Sequence, residues 1–251
     1  MSGAEVVVQV LADQGAVVLF GYSGGAILPV YDAIYRHNVE HPAADGGDSM
    51  RLIVPANEQG AGFMAAGYAR ASGKVGVAVV TSGPGATNMV TPVRDSMADS
   101  IPLVVICGQV GTSAIGSDAF QEAPISNIMS ACAKHVFLVT DATQLESTLR
   151  TAFTLARSGR PGPVVVDIPK DVQNAPLVWR GHGELLLSGY RARLRDVEQA
   201  NLSDADCAAF FDALIQAERP LIYAGGGVIA AGAAAALRHF VEAFGLPVTT
   251  T

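Results

Sequence analysis

Two features in residues 52–88 have the residue types to do chemistry: a lone carboxylate, Glu58, and a turn almost bare of side chains, Ser82-Gly83-Pro84-Gly85-Ala86-Thr87-Asn88. Glu58 follows Asn57, which can cap a helix, so it falls in a first helical turn. A Glu there most often complements the helix dipole. The chemical alternative is a carboxylate in an apolar, partly dry pocket that exchanges a proton with a nitrogen heterocycle. The glycine turn could present backbone N–H groups to an anion at a helix N-terminus. It has no Lys, so it is not a Walker loop, and it departs from Gly-x-Gly-x-x-Gly at the last position. A plain structural turn is the competing reading. Gly225-Gly226-Gly227 follows an apolar run and carries only a weak dinucleotide signal. The five His have no ligand spacing, no Ser-His-Asp arrangement can be read, and no metal-ligand set emerges. Cys107, Cys132 and Cys207 are widely spaced and read as buried thiols of a reducing compartment.

These groups need elements to hold them. Residues 52–54 and 75–81 read as buried strands, each followed by a helix, at 58–72 and 86–99, with Pro92 delaying or kinking the second. The two turns then open on one edge of a sheet, where open α/β proteins bind ligands. Further helices are expected at 3–14, 26–37, 125–133 and 142–158, with strands at 17–20, 101–107, 135–139 (an edge) and 163–168. Residues 109–122 form a long loop of the kind that tends to be functional. Strands alternating with helices imply a doubly wound parallel six-stranded sheet with helices on both faces. Gly60, Gly62, Ala65, Ala66 and Gly67 leave the 58–72 helix without bulk. That suits either an interface between chains or a close crossing over its own sheet.

The first domain is expected over residues 1–175 and a linker over 176–200. A second, Rossmann-like α/β domain then begins at 201–251 with a helix at 203–217, a strand at 220–224, a helix at 230–244 and a strand at 246–250. A lone βαβ unit cannot bury its apolar faces, so the sequence is expected to continue beyond Thr251.

Only 16% of the 251 residues are charged, against about 25% in an ordinary soluble protein, which implies extensive buried surface and an oligomeric interface. The net charge of −7 argues against nucleic acid or an anionic membrane as partner. No apolar run approaches the ~20 residues of a membrane span, and no signal peptide is visible, so a cytoplasmic location is expected.

The wording of the motifs adds a resemblance. Phe20-Gly-Tyr-Ser-Gly-Gly-Ala-Ile-Leu-Pro-Val-Tyr-Asp-Ala-Ile34, Asn57-Glu-Gln-Gly-Ala-Gly, Gly67-Tyr-Ala-Arg-Ala-Ser-Gly-Lys74, Thr81-Ser-Gly-Pro-Gly-Ala-Thr-Asn88, Gly108-Gln-Val, Ile115-Gly-Ser-Asp-Ala-Phe-Gln-Glu122, Lys134-His135 and Gly159-Arg-Pro-Gly-Pro-Val-Val-Val-Asp-Ile-Pro-Lys-Asp-Val-Gln173 are present in order. Together they resemble the N-terminal part of the acetolactate synthase (acetohydroxyacid synthase) large subunit, a thiamine-diphosphate enzyme. Many of these runs are shared across thiamine-diphosphate enzymes; Asp-Ala-Phe-Gln-Glu and Pro-Lys-Asp-Val-Gln point to this branch.

The resemblance implies a pyrimidine-binding domain and a carboligase. Such an enzyme decarboxylates pyruvate on thiamine diphosphate and joins the two-carbon unit to a second 2-keto acid, giving acetolactate or acetohydroxybutyrate for branched-chain amino acid synthesis. By resemblance, Glu58 hydrogen-bonds the cofactor's aminopyrimidine, and Gly25, Pro84, Asn88 and Gln121 line the cofactor and substrate site. Phe120 and Lys170 wall the substrate channel, and Ser100, Arg160, Gly226 and Gly227 lie near a flavin (FAD). Plain structural readings remain for these, such as a solvated charge for Lys170 and a helix-terminal charge for Arg160. Mg²⁺ would be held by a later domain, the site would form with a second copy of the chain, and a regulatory small subunit is a further expected partner. This chain alone is then expected to be inert. Three positions depart from the pattern: Asn57 where His is common, Gly111 where Pro is common, and Ser23 where Pro is usual. The alternatives are another pyruvate-oxidase-like enzyme of this cofactor or a non-catalytic domain of the same fold.

Overall fold

Short, largely apolar strands joined by long helical connections pair in parallel, because each return to the same end of the sheet is a crossover. The structure, a computed structural model describing residues 1–187, 189–199 and 202–251, has two compact units, 1–186 and 187–251. Residues 200 and 201, where the expected linker meets the expected second domain, lie outside the described residues.

In the first unit the order is α1 (Gly3–Asp13), β1 (Val18–Tyr22), α2 (Leu28–Glu40), β2 (Arg51–Ile53), α3 (Glu58–Ser72), β3 (Gly76–Val80), α4 (Pro84–Thr87), α5 (Val90–Ala98), β4 (Leu103–Gln109), α6 (Ile125–Ser130), β5 (His135–Leu138), α7 (Leu145–Arg157), β6 (Pro163–Pro169) and α8 (Lys170–Asn174). The six strands form one parallel sheet in the order β2-β1-β3-β4-β6-β5, as the alternation predicts. β3, β4 and β6 are buried throughout, which suits strands covered on both faces. β5 is the expected edge strand. β2 and β3 lie on opposite sides of β1, so the direction of winding reverses there.

The helices follow local signals with a few differences. Ser2 and Glu5 form a capping box on α1, and Gly15 (φ +71°) follows its end. α2 runs past the expected end at 37, because the side chain of Asn38 folds back onto the chain before β2: its amide donates to Met50 O (3.0 Å) and its oxygen accepts from Met50 N (2.9 Å). The expected 86–99 helix is two helices, α4 and α5. Pro92 is then a first-turn residue of α5, where its missing N–H costs little.

The inward face of α3 is Ala61, Gly62, Ala65, Ala66 and Ala69. A Cβ on Gly62 would overlap Pro92 and meet Met89 Cε at 2.8 Å, so that glycine allows α5 to cross closely. The small residues thus serve a crossing within the unit, while Phe63, Met64 and Gly67 face outward and are exposed.

Lys134 ties β5 to α7: its ammonium donates to the carbonyls of Leu155 (2.5 Å), Ser158 (2.6 Å) and Arg160 (2.8 Å), around the C-terminus of α7. The stretch after α8 lies along α7. Arg180 N donates to Glu146 Oε2 (3.1 Å), Leu185 N donates to Thr151 Oγ1 (2.8 Å), and the Arg150 guanidinium stacks on Trp179 at 5.1 Å.

The second unit contains α9 (Tyr190–Gln199), α10 (Asp204–Gln216), β7 (Ile222–Ala224), α11 (Gly227–Ala230), α12 (Ala234–Phe244) and β8 (Val248–Thr250). β7 and β8 pair in parallel, the expected βαβ. Gly232 (φ +64°) separates α11 from α12 within the expected 230–244 helix.

Candidate functional site

The carboxyl ends of β1, β2 and β3 meet where the winding reverses, the usual position of a ligand crevice in an open α/β sheet. Each strand delivers a different group there. β1 runs into the Tyr22–Ala26 turn, whose Ala26 N donates to Thr81 Oγ1 at 3.3 Å. A Cβ on Gly24 would come within 2.5 Å of the Thr81 side chain, whereas Gly25 has open space around it. β2 ends before Pro55, and Asn57 Oδ1 accepts from Gly60 N at 2.8 Å, so α3 begins with Glu58. The residue that departs from the common His is therefore the helix cap. β3 runs into Thr81 and Ser82, and Gly83 takes the left-handed backbone (φ +49°) that starts the glycine turn.

Glu58 and this turn are joined directly. Asn88 Nδ2 donates to Glu58 Oε2 at 2.8 Å. A Cβ built on Gly85 would stand 2.6 Å from Thr81 Cγ2 and 3.2 Å from Glu58 Oε1. Glycine at 85 therefore leaves the carboxylate room over the turn. Glu58 is half-buried, while Pro84 and Asn88 are exposed.

Tyr31 of α2 belongs to the same neighbourhood and is absent from the sequence-based set. Its hydroxyl donates to Val79 O at 3.1 Å. Burial, and secondarily the charge of Glu58, push its phenol well above the ordinary tyrosine range. A Tyr inside an amphipathic helix gives no chemical signal in sequence.

The 110–124 loop brings a fourth contribution. Thr112 donates through both its N–H (3.0 Å) and its hydroxyl (2.5 Å) to the Asp171 carboxylate. At the tip, Glu122 accepts from Gly116 N and from Ala119 N (3.1 Å), and these backbone donors hold its carboxyl below the ordinary range. Gln121 has a left-handed backbone (φ +57°). Its Cα would be only 3.0 Å from a Cβ on Gly83, and its carbonyl would overlap it. The structure thus brings Glu58, Pro84, Asn88 and Gln121 to one edge, with Gly25 in the neighbouring turn. Phe120 is 88% exposed beside Gln121. Lys170 is exposed at the start of α8, next to Asp171.

Ser100 and Arg160 form a second, separate pair. Arg160 Nε donates to Ser100 Oγ at 2.8 Å, and its Nη2 donates to Met97 O (2.9 Å) and Ala98 O (3.0 Å) at the end of α5. Ser100 has φ +60°. Gly226 and Gly227 belong to the other unit, at the start of α11.

Among the described residues, no group of three or more His, Cys, Asp or Glu side chains could hold a metal ion, and no helix is long and apolar enough to cross a membrane. All three cysteines are free thiols. The donor set at the β1–β3 crevice is a carboxylate steadied by an amide, beside a turn where a Cβ would fill the space. That set fits the edge of a planar nitrogen heterocycle such as an aminopyrimidine.

Comparison with known proteins identifies the domain family. Residues 1–131 match the family model for the thiamine pyrophosphate enzyme N-terminal TPP binding domain, and residues 207–251 match that for the central domain. Over its full length the chain is 45% identical to the acetolactate synthase large subunit of Corynebacterium glutamicum, covering 38% of that protein. It is 45% identical to acetolactate synthase isozyme 2 large subunit of Escherichia coli, again over the full chain and 42% of that protein. With isozyme 3 of the same organism the identity is 44% over 99% of the chain and 41% of that protein. The chain thus spans about two fifths of the length of the curated relatives it matches. Because the N-terminal TPP binding domain model matches residues 1–131, more than half of the 251, the chain belongs to the thiamine pyrophosphate enzymes.

Proposed function

We propose that this chain supplies the pyrimidine-binding half of an acetolactate synthase-type carboligase. The observation that carries the reading is the Asn88–Glu58 hydrogen bond at 2.8 Å, which sets a carboxylate over the Gly83–Gly85 turn. The similarity of the whole chain to about two fifths of acetolactate synthase large subunits supports it. On this reading residues 1–175 bind the cofactor's pyrimidine, 176–200 link, and 201–251 open the central domain.

Thiamine diphosphate, when bound, supplies a carbon nucleophile that accepts the two-carbon unit of pyruvate as carbon dioxide leaves. The chain's own residues do the positioning. Glu58 holds a proton against a pyrimidine ring nitrogen, and Asn88 steadies its carboxylate. Gly25 and Pro84 line the ring's surroundings. Gln121 and Phe120 face the keto acid, and Lys170 offers a cation to its carboxylate. By resemblance, Mg²⁺ and the diphosphate would be held by a later domain, and a second copy of the chain would complete the site. By resemblance, Ser100 and Arg160 in the first unit and, separately, Gly226 and Gly227 in the second are proposed FAD-binding residues. A regulatory small subunit and a cytoplasmic location complete the proposal; three free thiols suit a reducing compartment.

The test is product analysis of the native protein with pyruvate, thiamine diphosphate and Mg²⁺. Acetolactate as the main product is expected. Acetaldehyde or acetyl phosphate would point instead to another enzyme of the pyruvate-oxidase-like group. Cofactor binding without turnover would point to a non-catalytic domain.

A further inference from the structure

Gln109, the last residue of β4, is 3% exposed and makes three hydrogen bonds. Its Oε1 accepts from Val110 N (2.9 Å), and its Nε2 donates to Asp167 Oδ2 (3.0 Å) and to Ala123 O (3.3 Å). The partners determine which way the amide points: two acceptors face the NH₂ and one donor faces the oxygen. A flipped amide would set its oxygen against two other oxygens. Asp167 is 1% exposed, and its side chain reaches Gln109 across the β4–β6 pair, where it stands opposite Cys107. Its other oxygen, Oδ1, is buried without a hydrogen-bond partner. A carboxyl buried among valines is costly, and here one oxygen is used only to hold a glutamine.

What that glutamine holds is the returning end of the 110–124 loop. Ala123 lies two residues beyond Gln121, whose backbone rests on Gly83. The outgoing end is held separately, by Asp171 on Thr112. We propose that Gln109 is a positioning residue that pins Ala123, and through it seats Gln121 on the glycine turn, with the Asp167 carboxyl fixing the orientation of its amide. The substrate side of this inference rests on the carboligase reading above.

The test uses the native protein and two readouts. Amide hydrogen exchange is followed without thiamine diphosphate, and steady-state kinetics are measured with pyruvate. In Gln109→Met, amides at 119–123 exchange at least about tenfold faster, while those at 112–115 stay within about twofold of wild type. KM for pyruvate rises at least about fivefold while kcat stays within about threefold, the pattern of lost substrate positioning. Asp167→Asn keeps an acceptor oxygen for Gln109 and retains wild-type exchange and KM; Asp167→Leu behaves like Gln109→Met. Unchanged exchange at 119–123 in Gln109→Met, or equal acceleration along the whole loop, overturns the proposal. Should that variant not fold, Gln109→Asn replaces it, being too short to reach Ala123, and the same two results decide. A wild-type protein that never turns over pyruvate sinks the carboligase reading, and the exchange measurements still decide the clamp.

Discussion

Asn88 and Glu58 follow different strands, yet the Asn88 amide donates to Glu58 Oε2 at 2.8 Å. The contact joins the glycine turn to the first residue of α3 and limits the directions the carboxylate can take. Glu58→Gln, which cannot exchange a proton, is expected to lower kcat for acetolactate formation by about 100-fold or more with the fold intact. Asn88→Ala removes one hydrogen bond, worth about 0.5–1.5 kcal/mol net, and is expected to weaken cofactor binding by up to about tenfold. Titration with thiamine diphosphate, followed by turnover, checks both. Glu58→Gln activity near wild type would remove the proton role.

Gly83 and Gly46 both have left-handed backbones, but only Gly83 lies against another segment. Gly46→Ala is expected to cost about 1 kcal/mol from backbone strain alone. Gly83→Ala, at φ +49° and ψ −114°, is strained by its backbone and must also displace Gln121, so its melting temperature should fall clearly further. Thermal melts of the two variants side by side measure the difference, and equal losses would mean that the Gln121 contact contributes nothing.

Lys134 gathers three carbonyls around the end of α7. Lys134→Met keeps the apolar stem and leaves those carbonyls without their donor. A loss of about 2–4 kcal/mol is expected, since hydrogen bonds to a charged group contribute more than neutral ones. Denaturant unfolding reads it, and hydrogen exchange should open first at the C-terminal turn of α7.

Burial raises the Asp167 carboxyl from its ordinary value of 3.8 to about 7, opposed by the Gln109 hydrogen bond. The facing titratable group is Cys107, whose thiol is pushed well up by burial and then by the Asp167 charge. Between the ordinary value and about 7 the folded state holds a proton that the unfolded state has lost. This residue's contribution to stability is therefore largest at low pH and declines as pH rises toward 7. Asp167→Asn removes the titration. Its melting temperature, relative to wild type, should rise from pH 5 to about pH 7 and level off above that; a constant difference would show that the carboxyl does not titrate there.

The alternation of strand and helix, the cap at Asn57 and the bare turn at 82–88 are short-range patterns. Sequence alone therefore yielded the six-stranded parallel sheet, the start and end of α3 at Glu58 and Ser72, and the edge on which Glu58 and the turn lie. Asp167 was half-legible, as one charge inside an otherwise apolar strand, but nothing local named its partner. Gln109 and Asp167 lie 58 residues apart, and they meet because β6 inserts beside β4 in one register. The resting of Gln121 on Gly83, the Ser100–Arg160 pair and the approach of Tyr31 to Glu58 were likewise decided by tertiary structure. Periodicity encodes which face of an element is buried, whereas contacts between strand ends depend on strand order and register, which local spacing does not carry.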